Sequence, residues 1–141
     1  MARLATIGAI GVVVALWAAA ALAATPLTPG VWKAPNGNTL TIETIDQASG
    51  ALAGRFLVAA PQTADCQTAG SVHALGGWYN RDSDVITFSI NVPQSGCKAV
   101  ITWAGHYDEA TQAIQVQWMR VSGSDGTMML GVARFARAPD H

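Results

Sequence analysis

Few side chains in this chain have a type and spacing that suggest chemistry: two cysteines, three histidines, two small acidic groups, and one arginine set among tryptophans. His73 lies between Val72 and Ala74 in an apolar strand-like run, His106 sits beside a turn, and His141 is terminal. With a single cysteine pair they make no zinc pattern. Asp82 and Asp84, and likewise Asp108-Glu109, fall among turn residues and read as solvated, not as a carboxylate pair for acid–base work. No G-x-S-x-G is present. The chain therefore reads as a non-enzyme that needs no metal or cofactor. Cys66 and Cys97 are an even count, which in an exported chain favours a disulfide; two buried thiols are the alternative. A bond would close a loop of about 31 residues and stabilise by roughly 3–4 kcal/mol by restricting the unfolded chain.

The arginine is the more informative group. Residues 100–120 read as two strands and a tight connection supplied by residues 107–111. Ile101, Trp103 and Gly105 alternate onto one face of the first strand, and Ile114, Val116, Trp118 and Arg120 onto one face of the second. Two tryptophans on one inward face are either a core anchor or the walls of an aromatic ligand slot. Arg120 shares that face. It either snorkels into water at a mouth or anchors an acidic ligand group through its planar fork.

These residues need strands to position them. Segments 30–33, 39–45, 51–60, 71–79, 84–92 and 127–137 carry β-branched or alternating patterns, and the hairpin adds two more. Turn chemistry separates them: Pro35-Asn36-Gly37, Asp46 to Gly50, Asn80 to Ser83, and Ser122 to Gly126. Outside residues 1–23 no segment shows a helical apolar stripe. Eight short-linked strands predict an all-β, up-and-down antiparallel barrel with room for one small ligand. A β-sandwich is the alternative.

Residues 1–23 stand apart. Arg3, an apolar run from Ile7 to Leu22, and Ala21-Leu22-Ala23 have the pattern of a signal peptide, with a membrane anchor as the alternative. Residues 24–141 then form one domain, secreted or periplasmic. The whole chain carries a net charge of −1, and Arg3 is the one charged residue of the leader. The remainder is thus more negative still, which argues against a nucleic-acid partner. No polybasic or amphipathic segment suggests membrane contact after cleavage.

Several motifs in order resemble the avidin/streptavidin family of secreted biotin-binding barrels. Gly30-Val31-Trp32 is similar to the family's first strand, and Gly50-Ala51-Leu52-Ala53-Gly54 to the start of its third. Thr102-Trp103-Ala104-Gly105-His106-Tyr107 resembles the sixth, Gln117-Trp118 the seventh, and Gly131 with Phe135 the eighth. The resemblance implies an eight-stranded barrel and biotin as the ligand. It also implies ligand contacts at Asn36, Asn38, Phe56, Val58, Gln62, Val92, Ile101, Trp103, Trp118, Arg120 and Ala133.

Most of the family's polar contacts are substituted at these positions. The first loop has Ala34 and Asn38 where the family has an Asn and a Ser. Phe56 replaces a Tyr, Val58 a Ser, and Ala133 the Asp that polarises the ureido N–H. Val92 replaces a Trp, Ala99 and Ile101 replace a Ser and a Thr, and Arg120 replaces a Leu. Trp103 and Trp118 carry over, with Phe135 behind them. The resemblance therefore implies weak biotin binding, about −8 kcal/mol or micromolar, unless Asn36, Asn38 and Gln62 supply the missing donors. Two other outcomes stay open: a barrel for another ligand with an apolar body and acid head, or a closed-core structural barrel that binds a protein. The placement of Cys66 and Cys97 resembles the short dimeric branch, which joins the same two loops by a disulfide. The tryptophan that tetrameric members lend to a neighbour has no counterpart near Asp125, so the resemblance implies a homodimer.

Overall fold

The computed structural model describes residues 25–59, 69–94 and 97–139. The expected leader, Gln62, and the pairing of Cys66 with the Cys97 side chain lie outside the described residues.

Eight strands follow in order: β1 Gly30–Lys33, β2 Thr39–Ile45, β3 Ala51–Leu57, β4 Val72–Asn80, β5 Val85–Gln94, β6 Cys97–Asp108, β7 Ala113–Ser122 and β8 Met128–Arg137. Each pairs antiparallel with the next, and β8 returns to β1, so the sheet is a closed barrel as the alternation predicts. Period-two patterning is what closes it. In β3, Leu52, Gly54 and Phe56 are buried while Ala53 and Arg55 are exposed. In β4, His73, Leu75 and Tyr79 turn inward in the same way. Such alternation leaves one register that buries every apolar face.

Several boundaries differ from the sequence expectation. β5 runs on to Gln94 and β6 begins at Cys97, so less of the chain between residues 92 and 100 is loop than expected. Two further ends show why such shifts arise. Tyr107, expected in the turn, belongs to β6 and is 1% exposed, opposite Ile114. The turn starts at Asp108, whose carboxylate accepts the N–H groups of Ala110 and Thr111 at 3.0 and 3.1 Å. An Asx turn of this kind lets the strand run on to the residue that begins it. The β3 ladder ends at Leu57, paired with Val72, short of the predicted residue 60.

Up-and-down topology sorts the connections. The 34–38 and 123–127 loops and the C-terminal ends of β3 and β5 lie at one end, and the turns at 46–50, 81–84 and 109–112 at the other. The second end is sealed. Leu27 is buried there, and the Tyr107 hydroxyl donates to the Thr25 carbonyl at 3.2 Å. Tyr79 meets Tyr107 edge-on at 6.4 Å and donates to Asp84 Oδ1 at 2.5 Å. Burial, and then the bond to Asp84, pushes the Tyr79 phenol well above its usual range; burial raises Tyr107 too.

The β1–β8 seam is short, with Trp32 opposite Arg137 and Lys33 opposite Ala136. Arg137 reinforces it. Its guanidinium lies 4.9 Å from the Trp32 ring centroid and donates to Thr28 Oγ1 at 3.0 Å and to the Pro29 carbonyl at 3.3 Å. Beyond these pairs, β1 leaves β8 and becomes the 34–38 loop.

Candidate ligand-binding site

The barrel interior has a filled floor. Phe88 stacks on Trp103 at 5.0 Å and 18°, and Phe56 leans on Trp103 at 5.0 Å and 36°. Phe135 meets Phe56 and Phe88 edge-on at 6.2 and 6.4 Å. Offset and edge-on rings are the arrangements that the aromatic quadrupole favours. Phe56 from β3 and Phe88 from β5 thus hold the Trp103 indole, and Phe135 from β8 backs both.

Above this floor, at the open end, lies a cavity of about 310 Å³. Trp103 and Trp118 are directly opposed on β6 and β7 and form adjoining walls. Trp118 in turn faces Gly131 on β8. A Cβ at Gly131 would stand 2.4 Å from Cε2 and Cζ2 of Trp118. The glycine is therefore the space in which the indole lies against β8.

Polar groups gather at the rim. Asn38 is 7% exposed, and its Oδ1 accepts the Ala59 N–H at 3.0 Å. That bond commits the oxygen, so the amide NH₂ is the donor that Asn38 offers the cavity. Asn36 Oδ1 accepts the Asn38 N–H at 3.1 Å and holds the loop in this shape. Arg120 enters from β7, two residues nearer the mouth than Trp118, with Ile101 opposite on β6 and Met129 on β8. It borders the cavity, and its Nη1 lies 3.7 Å from Met129 Sδ.

Of the residues singled out from sequence, Asn36, Asn38, Phe56, Ile101, Trp103, Trp118, Arg120 and Ala133 border this one cavity. Val58 and Val92 do not reach it; they are 0% and 1% exposed and pack into the core. Gln62 lies outside the described residues. His73 is buried and bonded to Ser71 through Nε2 and Oγ at 3.1 Å, away from the cavity. Sequence reasoning missed Met129 and Val132. Met129 was within reach, because it alternates with Gly131, Ala133 and Phe135. Val132 was not: it lies on the outer face of β8, 80% exposed. It reaches the cavity because the barrel wall opens between β8 and the first loop. Among the described residues, no group of three His, Cys, Asp or Glu side chains is placed to hold a metal ion.

A closed antiparallel barrel with an aromatic-walled cavity at its open end is a small-molecule-binding barrel by class. The sequence pattern of the avidin family matches residues 23–128, and the chain belongs to that family. The match stops where β8 begins. Among solved structures, apo shwanavidin is 25% identical with a TM-score of 0.70, covering 82% of this chain and 100% of its own. A shwanavidin variant in complex with biotin is 26% identical with a TM-score of 0.66, covering 82% and 100%. The rhizavidin–biotin complex, at 23% identity and a TM-score of 0.67, covers 82% and 95% and speaks to the fold. No curated protein matches the chain significantly. The family is one of biotin binders, not enzymes.

Proposed function

We propose that the chain is an exported barrel that binds biotin, or a close analogue, in the micromolar range. One observation carries this reading. The two tryptophan walls surround an open cavity, while Phe56, Ile101 and Ala133 stand around it where the family has polar partners. The walls still remove an apolar ligand body from water, and Asn38 still offers a donor. Each absent buried hydrogen bond costs about 1–3 kcal/mol. Four or five such losses at about 2–2.5 kcal/mol each, taken from the −18 kcal/mol end of the practical ceiling near −18 to −21, leave roughly −8 kcal/mol. The open cavity favours a ligand over the closed-core alternative. Thermal melts with added biotin test this: the midpoint should climb with concentration as mass action requires. A melt unmoved by millimolar biotin would refute it.

Export is supported by the pattern of residues 1–23, and the disulfide by the paired cysteines. Intact-mass analysis of exported protein should show a chain shortened by about 23 residues and lacking two hydrogens. Two free thiols would remove the disulfide. A homodimer is supported by the apolar outer face of β7 and β8, where Met119, Met128, Leu130 and Val132 are all exposed.

A further inference from the structure

We propose that Arg120 makes the cavity selective for ligands that end in a free carboxylate, over the amides and esters of the same acids. The inference rests on the biotin reading above and names which chemical form of the ligand the site takes.

The geometry is that of an apolar slot whose polar groups come to the rim from two elements, the first loop and β7. At the first loop, the Asn38 NH₂ suits a carbonyl or ureido oxygen, because its own oxygen is held by Ala59 N–H at 3.0 Å. Between the polar groups the walls are aromatic or aliphatic: Phe56, Trp103, Trp118 and Ile101. On β7, Arg120 brings a full positive charge to the same cavity, on the inward face that carries Trp118. Its nearest neighbours across the sheet, Ile101 and Met129, are both apolar. Low-dielectric walls strengthen an ion pair formed there relative to one in water.

The guanidinium has five N–H donors in a planar fork. It can keep a contact within the protein and still present two parallel donors to a carboxylate. An amide or ester at that point offers one carbonyl oxygen and no charge. It loses the second bond and the Coulombic attraction together.

The test titrates biotin and biotinamide into the disulfide-intact protein, at low and high salt. Wild type should bind the acid at least about 30-fold more tightly, the size expected when one partner of a close charge pair is removed. Added salt should narrow the gap by weakening the acid alone. Arg120→Leu should bring acid and amide to within a few-fold of each other by weakening the acid and sparing the amide. Arg120→Lys, which keeps the charge but not the fork, should fall between. Acid and amide bound alike by wild type would overturn this inference and leave the biotin reading standing. If neither ligand binds, the biotin reading fails and the inference falls with it.

Discussion

Gly131 acts through the side chain it lacks. Trp118 can form a wall only because nothing projects from β8 at the point where its indole lies, 2.4 Å from where a Cβ would be. Gly131→Ala should therefore push the indole into the cavity. We expect a stability loss of about 1–3 kcal/mol, typical of overpacking, together with weaker ligand binding and an altered tryptophan emission spectrum. Unchanged emission and affinity would show that the indole does not depend on this gap. The two tyrosines at the sealed end make a separate prediction. Both are held neutral by burial, with phenol pKa values raised above the unfolded value of 10. The folded state therefore keeps protons that the unfolded state gives up. Stability from these groups is fully present below about pH 10 and declines as pH rises beyond it. Denaturant unfolding between pH 8 and 11 should show that decline, less steeply in Tyr79→Phe. A flat profile to pH 11 would contradict it.

The eighth strand shows how one element serves two surfaces. Met129, Gly131, Ala133 and Phe135 face the interior, and Met128, Leu130 and Val132 face out with 67%, 76% and 80% exposure. Leu130 is paired with Met119, and Met119 with Thr102, so the apolar outer face continues across β7 toward Val100 on β6. Exposed apolar strands of this kind invite association. Changing Leu130 and Val132 to Asp should halve the mass measured by light scattering during size exclusion, with the melt preserved. A wild type that elutes as a monomer, or a double variant that stays dimeric, would exclude this face as the interface. The strands themselves were legible because period-two alternation fixes both existence and orientation. Their ends were less so. Tyr107 looks like a turn residue by type, yet Asp108 sets the turn one position later through its side chain.

At the scale of the whole molecule, the barrel was legible from eight alternating segments and short turns, and the tryptophan walls from shared parity on β6 and β7. The full site was not. Alternation says which face a residue takes, but not how far along the barrel the cavity extends. Val58 and Val92 have the inward parity and are buried in the core, below 2% exposure, without touching the cavity. Val132 has the outward parity and borders it, because the short β1–β8 ladder leaves the wall open beside the first loop. The central claim is that this cavity keeps the family's walls without most of its hydrogen bonds. Isothermal titration calorimetry with biotin tests it most directly. The account predicts one site per chain, a negative heat-capacity change from apolar burial, and a dissociation constant in the micromolar range, about −8 kcal/mol. Sub-nanomolar binding would contradict it, by showing that other groups replace the partners lost at Phe56, Ile101 and Ala133.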